Sequence, residues 1–157
     1  MVFFQKIFKS TGNRLHGYDY TQNGKYFITI EEKNMEHIFG KIINRELILN
    51  EYGKIVEECW FDLPNHYENL ILDEFCIMPN HVHMIMIIKN IDGVKKHGIS
   101  EFVRAVKTFS SRKINEARNT PGKKNWKVDF WDEIIRTDER YYEIKEYIRN
   151  NPKNWRV

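Results

Sequence analysis

The chain has 157 residues, 41% of them hydrophobic and 30% charged. That length fits about one domain, able to bury a core without disulfide or metal staples, and the composition excludes a disordered or fibrous chain. The longest apolar run, Met84 to Ile88, is far short of the ~20 residues that span a bilayer. The start, MVFFQKIFKSTGNRLHG, has neither a sustained apolar stretch nor a small-residue cleavage site, so a cytoplasmic protein with no membrane partner is expected.

The net charge of +3 hides an asymmetry. Residues 1–93 carry 9 Lys/Arg against 13 Asp/Glu, and residues 94–157 carry 16 against 9. Within 102–127 there are eight basic residues and one acid, Glu116. Such a segment suits a polyanion such as nucleic acid, and equally a solvated helix face.

In chain order, Lys25–Glu31 alternates and is rich in β-formers, which predicts a strand. Phe39–Leu49 reads as a pair of short strands around Asn44-Arg45. Tyr52, Ile55, Val56, Cys59, Trp60 and Leu63 recur at helical spacing, and Pro64-Asn65 ends that helix. Leu70–Met78 and His81–Ile88 read as adjacent antiparallel strands joined at Pro79-Asn80. After a loop over 90–100, Ser100 is expected to N-cap a helix whose apolar side includes Phe102, Val103, Val106, Phe109 and Ile114. Asn119–Lys127 is a basic turn, and Val128–Ile135 reads as another strand. Thr137 caps a last helix from about Asp138 to Asn150, which Pro152 stops. This order implies an α+β fold: an antiparallel sheet with helices packed on one side. Cys59 and Cys76 lie in apolar runs, make no metal or disulfide pattern, and read as small core residues.

Three signals carry chemistry. In His81-Val82-His83, alternation along a strand projects both imidazoles from one face, about 6–7 Å apart. Two imidazoles at that spacing can chelate a divalent metal, or can be two structural histidines. Tyr147 sits at the edge of the Tyr141, Ile144, Ile148 stripe, with Asn151 one turn on along the same side. That pair fits a nucleophile beside a metal ligand, or a boundary tyrosine with a helix-end amide. Arg104, Lys107, Arg112, Lys113, Lys123 and Lys124 could neutralise phosphates, and Trp126 could stack on exposed bases. The alternative is a charged surface over core aromatics.

These signals occur in a characteristic order. Cys76–Ile88 (CIMPNHVHMIMII) resembles the Met-Pro-Asn-His-x-His motif of the IS200-like, single-tyrosine HUH transposases, most closely the REP-associated tyrosine transposases. Gly17–Ile30, Val103–Asn115, Phe130–Arg136 and Tyr142–Pro152 resemble successive stretches of the same family, so the likeness covers about residues 17–157. It implies a single IS200-like domain over 1–157, with 1–16 as a peripheral arm, and a ferredoxin-like (RRM-like) sheet carrying the His-x-His on a central strand. It also implies His81, His83 and Asn151 as metal ligands for Mg²⁺ or Mn²⁺, Tyr147 as nucleophile, and Lys107 with its basic neighbours holding DNA. The implied reaction is metal-dependent cleavage and strand transfer of single-stranded DNA through a covalent 5′-phosphotyrosine. Hairpin or repeat elements would be the partner, and the likeness leaves open a homodimer, as among insertion-sequence relatives, or a monomer, as in the repeat-associated branch. FWDEIIR departs from the family in carrying Glu133 where histidine is frequent, and no role is assigned to it. Two rival readings are a non-catalytic single-strand-binding module and a metal phosphodiesterase that uses water as nucleophile.

Overall fold

The computed structural model describes residues 15–156, so of the arm expected over 1–16 only Leu15 and His16 fall among the described residues. Strand β1 (Gly24–Glu31) leads to a hairpin of β2 (Gly40–Ile43) and β3 (Glu46–Leu49), then helix α1 (Glu51–Asp62). Strands β4 (Leu70–Ile77) and β5 (His81–Ile88), helix α2 (Ile99–Ala117), strand β6 (Trp131–Ile135) and helix α3 (Asp138–Asn150) complete the order. The main sheet has the order β4-β5-β1-β6, with every neighbouring pair antiparallel. This is the interleaved order of a ferredoxin-like sheet, in which two helix-linked strand pairs share a centre.

Local chemistry explains the elements. Asn44 and Arg45 both take left-handed φ angles, 52° and 65°, the conformation a tight hairpin turn needs. Asn50 Oδ1 accepts from the Tyr52 and Gly53 amides at 2.9 and 3.0 Å and starts α1. Thr137 Oγ1 accepts from the Arg140 amide at 3.1 Å and starts α3. The cap of α2 differs from the expectation: it is Gly98, and Ser100 lies inside the first turn. A Cβ at residue 98 would lie 2.9 Å from Thr21 Cγ2 and 3.0 Å from the Tyr20 carbonyl oxygen, so close chain approach selects glycine there.

The central strands are buried on both faces and serve two cores. Tyr26, Ile28, Ile30, Val82, Met84 and Met86 pack under α1 and α2, with Val56, Trp60, Phe102 and Val106. The alternate residues Phe27 and Ile85 pack with Ile135, Ile144 and Ile148. Two of the three helices therefore share one face as expected, and α3 takes the other, because Ile144 and Ile148 cover the second apolar stripe of β1 and β5. Polar contacts flank that small core. Arg140 donates to both carboxylate oxygens of Glu133 at 2.6 and 2.8 Å. Lys145 and the Tyr141 hydroxyl donate to Asp73, and Arg149 donates to Glu74. Cys59 is buried and Cys76 half-buried, both as free thiols.

Strand β6 begins at Trp131, three residues later than expected. The carbonyls of Lys127, Val128 and Asp129 all accept from Lys107 Nζ, at 2.8, 3.1 and 3.2 Å. Three successive carbonyls cannot converge on one ammonium in a pleated strand, where they point alternately to either side. Among the described residues no helix is long and apolar enough to cross a membrane.

Candidate active site

The site is built on the face of the sheet that α3 covers. The His81 and His83 rings lie 4.7 Å apart between centroids, with planes at 74°. His83 is fully buried, opposite Thr29 in the β1–β5 register, with Nδ1 2.6 Å from Thr29 Oγ1. His81 Nδ1 donates to Asn80 Oδ1 at 2.7 Å. Asn80 in turn donates its amide to the Met35 carbonyl at 3.3 Å, which fixes which end of the amide faces the imidazole. The Pro79-Asn80 turn is thus an orienting element as well as punctuation.

From α3, the Tyr147 ring lies 5.4 Å from that of His83 and 6.3 Å from that of Phe27. Burial raises the Tyr147 pKa, and the hydrogen bond from Asn151 opposes that rise. Asn151 also counters part of the burial shift at His81 and donates its amide to the Tyr147 carbonyl at 3.3 Å. The helical spacing of four residues therefore places Asn151 on the same pocket wall as Tyr147 and His81. A pocket of about 370 Å³ opens here, lined by Thr29, Glu31, Asn80, His81, Tyr147, Asn151, Trp155 and Arg156 among others. Trp155 stacks on His81, with centroids 6.2 Å apart and planes at 29°.

The donor set fits a divalent cation. Burial depresses the His81 pKa to about 4, and burial with the neighbouring His81 holds His83 well below its ordinary value. Both imidazoles are therefore neutral at pH 7, the form that binds metal. The Asn80 contact leaves His81 Nε2 with the lone pair. A proton on His83 Nδ1, donated to Thr29, would do the same for His83. Oriented partners behind the ligating ring are the usual second layer of a metal site. Among the described residues no group of three His, Cys, Asp or Glu stands in metal-binding array, so a third protein donor would be the Asn151 amide oxygen.

The structure brings together His81, His83, Tyr147 and Asn151. It separates the basic residues from them. Arg104, Arg112 and Lys113 are exposed on α2, on the far face of the sheet from His83. Arg112 and Lys113 line a small 160 Å³ pocket against Cys59 and His66. Lys123 and Lys124 are exposed on the turn after α2. Two assignments need correction. Lys107 turns its ammonium to the three carbonyls described above, and the Phe130 ring lies 5.8 Å away, so it binds protein backbone. Trp126 is 6% exposed, stacks on Phe39 at 5.0 Å and donates Nε1 to Ser110 Oγ at 3.0 Å, so it is a core residue with no face for a base.

Thr29, Glu31, Asn80 and Trp155 escape a reading of motifs alone. Thr29 and Glu31 do leave a trace, as polar residues in alternate positions of a strand otherwise built for burial. Asn80 sits inside the Met-Pro-Asn-His-x-His motif. Trp155 leaves none, because only the turn over Pro152–Asn154 returns it to His81.

The sheet and this constellation define an α+β protein with a paired-histidine and tyrosine site between a central strand and a terminal helix. The family model described as "Transposase IS200 like" matches residues 33–151. The chain belongs to this family of transposases, enzymes of DNA transposition. A protein of Haemophilus influenzae (strain KW20 / Rd), named only "Uncharacterized protein", is 37% identical over 90% of this chain and 87% of its own length. The structure of a REP-associated tyrosine transposase bound to a REP hairpin superposes with a TM-score of 0.65. It is 17% identical and covers 90% of this chain and 73% of that one. A further solved structure, of a putative transposase from Deinococcus radiodurans R1, gives a TM-score of 0.55 at 20% identity, covering 88% and 96%. At these identities the two structures establish the shared fold.

Proposed function

We propose that the protein cleaves and rejoins single-stranded DNA through a covalent 5′-phosphotyrosine on Tyr147, at a divalent metal, Mg²⁺ or Mn²⁺, held by His81, His83 and Asn151. The observation that carries the reading is the Tyr147 ring 5.4 Å from that of His83, with Tyr147, His81 and Asn151 lining one pocket. The bound cation would neutralise charge developing on the phosphate oxygens. Two nitrogen donors favour Mn²⁺ over Mg²⁺ in binding.

Tyr147 Oη attacks the phosphorus, the bond from phosphorus to the 3′ oxygen breaks, and the phenolic proton departs as the 3′ oxygen takes one up. The ester energy is kept in the phosphotyrosine, so a 3′-hydroxyl can reverse the step and join strands without ATP. Burial disfavours the phenolate, and the Asn151 amide offsets part of that cost at the attacking oxygen. Asn80 and Thr29 hold the imidazole rings in their planes. A DNA hairpin is the natural partner, by analogy with the REP hairpin bound by the similar transposase.

The test is covalent capture on a denaturing gel, using labelled single strands and hairpins from the DNA flanking the gene, with and without Mn²⁺. A metal-dependent adduct lost in both Tyr147→Phe and His81→Ala is the expected result. An adduct that survives Tyr147→Phe assigns the nucleophile elsewhere. Cleavage without any adduct means water attacks.

A further inference from the structure

We propose that a single-stranded polynucleotide engaged at Tyr147 runs past Glu31 into a lysine-lined groove formed by Lys33, Lys123, Lys124 and Lys127, which carries its phosphate backbone away from the scissile bond. The proposal rests on the functional reading above and gives its substrate a route.

Three cavities share walls in series. The catalytic pocket reaches Glu31. Glu31 also lines a neighbouring pocket of about 370 Å³ with Lys33 and Lys127. Those two lysines line a third, of about 450 Å³, together with Lys107, Lys123 and Lys124. The path turns around the end of β1, so it leads from the α3 face of the sheet toward the α2 face, where the basic segment lies.

Backbone contacts hold this path in place. The Lys33 amide donates to the Asn125 carbonyl and the Lys127 amide to the Glu31 carbonyl, both at 2.9 Å. Glu32 and Trp126 form an isolated bridge between the same two segments. The turn carrying Lys123, Lys124 and Lys127 is therefore pinned to the strand end that borders the catalytic pocket. Lys107 rises from α2 into the groove but spends its ammonium on carbonyls, so it builds the wall.

The charge of the third cavity is one-sided. Five lysines from three separate stretches of chain line it, and no carboxylate does. Among the described residues, Lys33, Lys123 and Lys124 have no carboxylate within ion-pair distance, while Lys127 pairs with Glu31 at 3.5 Å. Converging like charges repel and cost stability, a cost that a polyanion bound along the groove relieves. Lysine is a mobile point charge that binds phosphate and does not read bases. The groove thus suits a backbone of any sequence, leaving selectivity to the catalytic pocket or to a hairpin.

The test measures binding of the full-length protein to a long oligo(dT) by fluorescence anisotropy across a salt series. Each lost single-strand phosphate contact lowers the slope of log K against log salt by about 0.7. The triple variant Lys33→Ala, Lys123→Ala, Lys124→Ala is expected to lower it by about 2. Lys95→Ala, an exposed residue between β5 and α2, should leave it unchanged. An unchanged slope in the triple variant overturns the groove, and so does an equal loss for a duplex of the same length. Covalent capture with the wild-type protein, read beside the salt slope, separates the two ideas. Wild-type protein that gives no adduct, with the slope still lost in the triple variant, sinks the catalytic reading and keeps the groove. An adduct with an unmoved slope does the reverse.

Discussion

Thr29 Oγ1 and His83 Nδ1 lie 2.6 Å apart across the β1–β5 pair, at positions that are 1% and 0% exposed. Strand register here sets the chemistry of the site. The residue opposite the deeper histidine is the one β-branched side chain that fits a buried strand position and still carries a hydroxyl. Valine has the same shape and leaves Nδ1 without that partner. Thr29→Val should weaken Mn²⁺ binding by about 10–100-fold, the usual cost of removing a partner behind a metal-binding imidazole. Calorimetric titration with Mn²⁺ checks it, and an unchanged dissociation constant would remove Thr29 from the site.

Acid should destabilise the fold through the two histidines. Their folded pKa values are depressed, His81 to about 4 and His83 well below its usual value, both chiefly by burial. The unfolded chain takes up protons near pH 6.5 that the folded chain refuses. Their contribution is therefore complete above pH 6.5 and is lost as pH falls from 6.5 toward 4. The slope is at most ~1.4 kcal/mol per pH unit for each histidine. Urea unfolding at pH 7 and pH 5 measures it, and His81→Gln, which takes up no proton, should fall less steeply.

Glu133 has a structural partner. Its carboxylate accepts two hydrogen bonds from Arg140, with both side chains about three-quarters buried. Glu133→Ala should cost about 1–3 kcal/mol, moderated because Arg140 keeps Glu143 at 3.1 Å. Hydrogen exchange should quicken first in α3, whose apolar contact with the sheet is small. Uniform quickening across β1 and β5 would instead assign the pair to global stability.

Lys107→Met separates wall from ligand. Removing the ammonium strands three carbonyls, so stability should fall by about 1–3 kcal/mol. The salt dependence of oligo(dT) binding should stay the same. A slope lower by about 0.7 would instead return Lys107 to the phosphate contacts.

Local sequence accounts for much of the fold and for the centre of the site. His81–Ile88 and Asp138–Asn150 match their strand and helix to the residue, because period and punctuation agree there. The side-by-side imidazoles come from alternation alone. The features that local sequence misses depend on residues far apart in the chain. Local pattern cannot reveal that an ammonium twenty residues back gathers the carbonyls of 127–129 and delays β6. Nor can it reveal that Phe39 and Ser110 claim Trp126, which in a run of lysines reads as ready for a base. The cap of α2 escapes for the same reason: Gly98 is selected by contact with Tyr20 and Thr21. The expectation of helices on one face misses that β1 and β5 are apolar on both sides and need a cover on each.

The two cores that β5 serves set how the gene can tolerate changes of length. Alternate residues of this strand face different interiors, so gaining or losing one codon between Pro79 and His83 would exchange the faces of every later residue in the strand. The imidazoles would be driven under α1 and α2, and a methionine or valine would meet Tyr147. No repair by substitution at those positions restores both interiors at once. A second, compensating single-codon change nearby does, by returning the strand to its original parity. In descendants of this sequence the segment from Pro79 to His83 should therefore keep its length, with Asn80, His81 and Val82 held by the site and the core.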